Sequence, residues 1–264
     1  MKIRFLKANN GDCIHINFND DEGVERNMII DGGVRDTYIK AKDKKLRRST
    51  GELYEIIEDI RNADKKIDLL ILTHHHDDHI KGVLHWLETD RNSLDLINEV
   101  WFNTGAAIAS WLEKETNEAL DFSINMAPET SETSIPYAIS FRDLLKGKLY
   151  SEVIIEGAKL ERFGVIFHIL SPDKPQLEKL LAEWKKFEPD LGTAGRSDDY
   201  EESLASHIRH DEFEEDTSPA NGTSIAFRME WHNRNFLFLS DAHPNIICRN
   251  LLKQKNIRGK AYRI

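Results

Sequence analysis

Short apolar runs bounded by turn residues recur along the chain and predict strands. Between several of them, apolar residues at helical spacing predict amphipathic helices. The predicted strands are residues 2–7, 12–18, 26–31, 67–72, 99–103, 153–160, 165–170, 222–231 and 235–240. The predicted helices are residues 52–62, 79–89, 177–187 and 245–253. We expect a single domain over residues 1–264, a length that is ample for a sizeable core.

Three stretches between these elements carry no motif that identifies a structure. Residues 104–150 are predicted to be a helical or irregular insert facing the substrate, and residues 188–218 an exposed acidic loop. The basic segment from Lys40 to Arg48 is interpreted as solvated, with phosphate steering as the alternative. His207 and His210 lie in the acidic loop, where a solvated histidine is more common than a metal ligand.

The densest cluster of chemically active residues follows the apolar run 67–72. His74, His76, Asp78 and His79 have the spacing H-x-H-x-D-H, on a predicted turn between a buried strand and a helix starting near His79. Alternation along the turn lets His74 and His76 point one way, while Asp78 and His79 reach in from the other side. Imidazole nitrogen and carboxylate oxygen are ligands of zinc, manganese and iron.

Two pairs of such ligands converging on one pocket would hold two divalent metals about 3.5–4 Å apart, with a water between them. The alternative is a surface loop that happens to be rich in histidine and aspartate. We favour the metal site because clustered histidines are uncommon elsewhere and because this cluster directly follows a strand.

This stretch resembles the signature loop of the metallo-beta-lactamase superfamily. The resemblance implies an α/β fold, a four-layer αββα sandwich with the metal site at one edge of two packed sheets, and a hydrolase that uses metal-activated water. It also implies that Asp31, at the end of the predicted strand 26–31, supports the histidine loop through hydrogen bonds instead of binding metal. Taken alone, Asp31-Gly32-Gly33 would be interpreted as a plain turn.

The segments 221–227 and 236–242 resemble one branch of that superfamily, the metallo-hydrolase domain of bacterial competence DNA-uptake proteins and their stand-alone relatives. In that branch, an N-x-x-S strand precedes a strand that ends in G-D-A. By this match Asp241 would bridge the two metals, one carboxylate oxygen on each. The alternative role for Asp241 is to cap the helix that starts near Pro244.

Three departures from the family pattern bear on the second metal. Asn221 and Ser224 stand in the stretch where many members carry a further histidine ligand, and Ser240 stands where glycine is usual. The late histidine of the family is absent before Ile264, so we expect either a truncated chain or an incomplete second pocket. We do not expect His243 to replace it except by accident of geometry. His168 matches no ligand motif.

Composition limits the kinds of partner that we expect the protein to bind and the cellular compartment in which we expect it. The formal net charge of −10 argues against a broad nucleic-acid-binding surface, although bound metals would still allow a phosphodiester substrate. No apolar run approaches the roughly 20 residues of a membrane helix, and no signal-peptide pattern opens the chain. Two cysteines, Cys13 and Cys248, are too few for a disulfide framework, so we expect both to be buried apolar residues in a cytoplasmic protein. The oligomeric state is left open.

The functional hypothesis is a metal-dependent hydrolase with two divalent ions, zinc as the first choice and manganese or iron as alternatives. His74, His76, Asp78, His79 and Asp241 would be the ligands, and Asp78 would also orient the nucleophile. A phosphodiester in nucleic acid or a nucleotide is the first substrate class by analogy alone; lactams, thioesters and lactones stay open. The rival hypotheses are a non-catalytic metal-binding or partner-binding module, and a structural protein that binds no metal tightly.

Overall fold

The structure, a computed structural model, describes residues 1–39, 50–90, 92–112, 135–145, 147–186 and 216–258. The basic segment, nearly all of the predicted acidic loop, and His207 and His210 lie outside the described residues. The middle of the predicted insert also lies outside them. The described part contains two sheets, of five and four strands.

The first sheet has the strand order β1-β2-β3-β4-β5. Its strands are β1 (Lys2–Phe5), β2 (Ile14–Asn19), β3 (Glu25–Ile30), β4 (Ile67–Ile71) and β5 (Ile97–Trp101). The first three are antiparallel and are joined by short connections, whereas β3, β4 and β5 run parallel. The carboxyl ends of β3, β4 and β5 therefore meet at one edge of the sheet.

The second sheet is antiparallel throughout and has the order β6-β7-β8-β9. Its strands are β6 (Lys159–Arg162), β7 (Val165–Ser171), β8 (Ala226–Trp231) and β9 (Arg234–Phe238). The described helices are α1 (Glu52–Asn62), α2 (Asp77–Thr89), α3 (Ser93–Leu96), α4 (Gly105–Trp111), α5 (Ile135–Leu145), α6 (Lys174–Lys186), α7 (Pro219–Gly222) and α8 (Pro244–Arg258).

Alternating side chains of the first sheet supply two separate cores. Leu69 and Ile71 of β4 pack between the sheets with Phe167 and Phe227 of the second sheet. Leu70 and its counterparts on the opposite face pack against the helices α1, α2, α4, α5 and α6. A smaller cluster lies between the second sheet and α8. The layer order is helix, sheet, sheet, helix, which confirms the predicted αββα sandwich.

Several predicted boundaries are wrong for local reasons. Helix α2 begins at Asp77, earlier than predicted, because His76 already has the extended backbone of an N-cap and two acidic residues open the first turn. Residues 153–158 are not a strand: the side chain of Asn103 exchanges two hydrogen bonds of 2.8 Å with the backbone of Ile154 and so replaces a strand partner. Residues 222–225 precede β8 because the short helix α7 ends at Gly222. Cys248 is exposed, whereas Cys13 is buried as expected.

None of the helices in the described ranges is long and apolar enough to cross a membrane.

Helix α2 packs unusually closely on the chain that follows β3. The amide of Gly32 donates to the carbonyl of His79 at 2.7 Å, and the amide of Gly82 donates to the carbonyl of Gly33 at 2.9 Å. A Cβ atom on Gly82 would lie 1.9 Å from the carbonyl oxygen of Gly32. Only glycine allows this approach, and the approach fixes where the first turn of α2 sits relative to Asp31.

Gly82→Ala is therefore expected to destabilise the protein by about 1–3 kcal/mol, as overpacking does. In an exposed helix the same change would stabilise by about 1 kcal/mol, so the sign of the effect tests the close approach. Urea unfolding of the metal-free protein measures it. Gly147→Ala is the matched control, because a Cβ at Gly147 would meet no atom within 4 Å. A Gly82→Ala protein as stable as the unmodified chain would contradict the prediction.

Candidate metal centre

The loop that carries the histidines is positioned by two adjacent parallel strands. Ile30 of β3 pairs with Ile71 of β4, and the amide of Asp31 extends this pairing by donating to the carbonyl of Ile71 at 2.8 Å. Both strands end at the same edge of the sheet, so Asp31 and Thr73 emerge side by side. Asp31 has a φ of +55°, a left-handed conformation that aspartate and asparagine tolerate better than most residues.

Three of the four neighbouring imidazoles come together. The ring centre of His74 lies 4.9 Å from that of His76 and 4.2 Å from that of His79. His75 is buried and packs edge-on against Trp184 of α6, with ring centres 5.6 Å apart. Burial lowers the pKa of His75 to about 3, so it is neutral in the core. The ring of His75 thus packs on α6, and its centre lies 6.1 Å from that of His76.

Two carboxylates approach the histidine cluster. Oδ2 of Asp241 lies 3.4 Å from Nε2 of His79 and 3.7 Å from Nε2 of His74. Oδ1 of Asp78 lies 3.8 Å from Nε2 of His79. Of the predicted ligands, His74, His79 and Asp241 have ligand atoms within 4.8 Å of one another, whereas His76 and Asp78 belong to no such group among the described residues. One oxygen of Asp241, Oδ2, lies between one histidine of each predicted pair.

Asp31 orients the histidine cluster through hydrogen bonds. Its carboxylate is fully buried and accepts three hydrogen bonds, from the amide and hydroxyl of Thr73, both at 2.7 Å, and from Nδ1 of His79 at 2.9 Å. Because Nδ1 of His79 is engaged by Asp31, Nε2 is the nitrogen that faces Asp241 and Asp78. A carboxylate that fixes the tautomer and orientation of a histidine in this way is typical of metal sites.

Hydroxyl groups fix the orientation of the His74 ring. Nδ1 of His74 lies 3.2 Å from the hydroxyls of Thr73 and Ser224. Thr73 in turn lies 2.8 Å from the hydroxyl of Ser240, whose φ of +47° explains why glycine is usual at that position. With Nδ1 directed at these hydroxyls, the free nitrogen of His74 is again Nε2.

The donor set fits a divalent cation. Nε2 of His74 is buried and has no hydrogen-bond partner among the described residues, which is costly unless an ion or a water binds there. Burial and the neighbouring imidazoles lower the pKa of His74 well below its usual value, which keeps it in the neutral form that binds metal. Burial also opposes protonation of His79, but the charge of Asp31 and the hydrogen bond to Asp241 outweigh it and raise the pKa of His79 to about 11. The carboxylates around His79 therefore favour a positive charge at this position.

Asp12 also lies at this centre, and the sequence did not identify it. Ligand atoms of Asp12, Asp31 and His79 lie within 4.8 Å of one another. Burial and the charge of Asp31 raise the pKa of Asp12. The antiparallel pairing of β2 with β3 brings Asp12 to the end of β3, and a Cβ on Gly11 would lie 1.7 Å from the carbonyl oxygen of Asp78. Only this pairing could have revealed Asp12, because its local sequence resembles an ordinary strand start.

Two other histidines are engaged elsewhere. Nε2 of His168 lies 3.2 Å from a carboxylate oxygen of Glu230 on the second sheet. His243 contacts the side chain of Gln176 at 3.4 Å and the carbonyl of Ser218 at 3.1 Å. Neither belongs to the clusters of ligand atoms found among the described residues.

Comparison with known proteins gives one family and a set of distant structures. Residues 21–136 match the family model of the metallo-beta-lactamase superfamily. None of the curated proteins compared with the chain matches it. One similar structure is a metallo-beta-lactamase with an HARLDQ motif from Cronobacter sakazakii (Enterobacter sakazakii), at 10% identity and a TM-score of 0.41, covering 96% of this chain and 71% of that one. A mutant form of the HARLDQ-motif protein is similar at 12% identity and a TM-score of 0.30, covering 63% of this chain and 50% of that one.

Proposed function

We propose that this chain, which carries a metallo-beta-lactamase superfamily domain, is a metal-dependent hydrolase. The observation that carries the proposal is the buried, unpartnered Nε2 of His74, which faces Oδ2 of Asp241 within a group of three imidazoles. A cation would give this buried nitrogen a partner. His74, His76, Asp78, His79 and Asp241 would hold two divalent ions, with zinc, manganese or iron as candidates.

When bound, the two ions would lower the pKa of a shared water toward about 7 and stabilise negative charge on the substrate. The residues of the chain do the positioning. Asp31 fixes the ring of His79, and Thr73 and Ser224 fix the ring of His74. Asp78, which is partly exposed at the mouth of the cluster, would orient the nucleophile and accept its proton.

We propose a phosphodiester, in nucleic acid or a nucleotide, as the substrate. Support comes from the residues that resemble the DNA-uptake branch, because Ser224 and Asp241 both contact His74 although they lie far from it in the chain. The acidic balance of the whole chain argues for a local site in place of a broad nucleic-acid surface. Lactams, thioesters and lactones are the comparison substrates.

The test is metal content combined with turnover. Elemental analysis of the purified protein is expected to give about two metals per chain, as in two-metal hydrolases. Hydrolysis of bis(p-nitrophenyl) phosphate should disappear after chelation and return when zinc, manganese or iron is added. A protein that binds metal but hydrolyses none of the four substrate classes would instead be a non-catalytic binding module. A protein without tight metal would refute the proposal altogether.

A further inference from the structure

A second buried polar atom without a partner lies beside His74. Oδ1 of Asn221, in helix α7, is buried and makes no hydrogen bond with any described residue. The side chain of Asn221 lies within hydrogen-bonding reach of the imidazole of His74. Oδ1 of Asn221 and Nε2 of His74 are each buried, and neither makes a hydrogen bond of good geometry with a described residue. A buried polar group without a well-formed hydrogen bond destabilises the fold unless a ligand or water satisfies it.

The orientation of the Asn221 amide is fixed from the other side. Its Nδ2 donates to Oδ2 of Asp216 at 2.6 Å, and its backbone amide donates to the hydroxyl of Ser218 at 3.4 Å. Oδ1 of Asp216 accepts from the amide of Ser218 at 2.8 Å, so the carboxylate is itself held. A carboxylate accepts hydrogen bonds and cannot donate them when ionised, so it is the amide nitrogen that must face Asp216. The amide oxygen is therefore directed away from Asp216 and left for the metal centre.

The packing of α7 keeps the amide in this place. A Cβ on Gly222 would lie 2.8 Å from Cε1 of His243, so the chain after Asn221 fits tightly against that ring. His243 is in turn held by Gln176 and by the carbonyl of Ser218. The same segment leads directly to Ser224, which contacts Nδ1 of His74. Residues 221–224 therefore place two side chains, those of Asn221 and Ser224, against His74.

We propose that the amide oxygen of Asn221 is a ligand of the metal held by His74, and that Asp216 is the residue that positions it. The inference rests on the metal centre of the proposed function. Amide oxygen is a harder ligand than imidazole and suits manganese and magnesium better, whereas imidazole suits zinc. An oxygen at this position therefore shifts the preference of the centre toward manganese, compared with the same centre carrying another histidine.

The experiment is equilibrium binding of Mn²⁺ and Zn²⁺ to metal-free protein, for the unmodified chain and for Asn221→Ala, Asn221→His and Asp216→Asn. Asn221→Ala is expected to weaken Mn²⁺ binding by about 10–100-fold, and Asp216→Asn by a smaller factor. Asn221→His is expected to raise the ratio of Zn²⁺ to Mn²⁺ affinity by about tenfold or more. The absorption spectrum of the Co²⁺-loaded protein should also differ between the unmodified chain and Asn221→His, because one ligand atom changes from oxygen to nitrogen.

Asn250→Ala is the matched control. Asn250 is a buried asparagine whose Nδ2 donates to the carbonyl of Leu170 at 2.7 Å, at helix α8. Its loss should reduce stability and leave metal affinity unchanged. If Asn221→Ala binds Mn²⁺ as the unmodified chain does, the inference about Asn221 is wrong although the metal centre stands. If the unmodified chain binds neither ion, the proposed function fails first.

Discussion

Replacing His76 by alanine is expected to reduce metal-dependent turnover by a factor of about 1,000 or more, equivalent to about 4 kcal/mol of transition-state stabilisation. His76 is half-buried, and its ring centre lies 4.9 Å from that of His74. Losing this imidazole removes one ligand from the cluster while leaving the apolar cores intact. The metal content should fall together with the activity, and the thermal unfolding of the metal-free protein should change little.

His75→Phe is the control for that variant. His75 lies next to His76 in the chain, but its ring packs edge-on against Trp184, and its ring centre is 6.1 Å from that of His76. Phenylalanine keeps an aromatic ring in this contact and removes both nitrogens. Metal content and turnover should therefore stay close to those of the unmodified protein. Turnover retained in His76→Ala under strict metal control, or lost equally in His75→Phe, would show that the H-x-H spacing does not assign the ligands as proposed.

The sequence was most informative where structure is local. Helix α1 has the predicted bounds, and β4 differs by one residue at its end, because an apolar face or a buried run is encoded by neighbours in the chain. Helix α2 starts two residues before His79, since capping by the His76 backbone outweighs the apolar spacing on which the prediction depended. The strand predicted to start at residue 153 begins only at Lys159, for the opposite reason: the side chain of Asn103, distant in the chain, takes the backbone hydrogen bonds of Ile154.

The site shows the same division between local and distant information. The spacing of His74, His76 and His79 is visible in one turn of chain, so the cluster could be predicted directly. Asp12 reaches the centre only through the pairing of β2 with β3, and no local pattern marks it. The amide of Asn221 faces His74 because Asp216 takes its nitrogen, which depends on a fold that no motif encodes.

Replacing Asp31 by asparagine tests the role of the buried carboxylate that bonds to both Thr73 and His79. Asparagine keeps the size of the side chain and tolerates the φ of +55°, so the change removes the charge with little backbone strain. One amide oxygen cannot replace two carboxylate oxygens that accept from Thr73 and from Nδ1 of His79. Breaking this buried pair is expected to destabilise the metal-free protein by about 3–5 kcal/mol. Because His79 also loses its orientation, metal affinity should fall by about 10–100-fold.

Asp68→Asn separates the two effects of Asp31→Asn. Asp68 is a buried carboxylate near the opposite end of β4, where it accepts from the amide of Asn27 at 2.9 Å and from Arg26 at 3.0 Å. Its substitution should lower the free energy of unfolding in urea and leave metal affinity untouched, because no ligand depends on it. If both variants weaken metal binding equally, the loss reflects general instability. If Asp31→Asn binds metal normally, the carboxylate stabilises the strand ends but does not position His79.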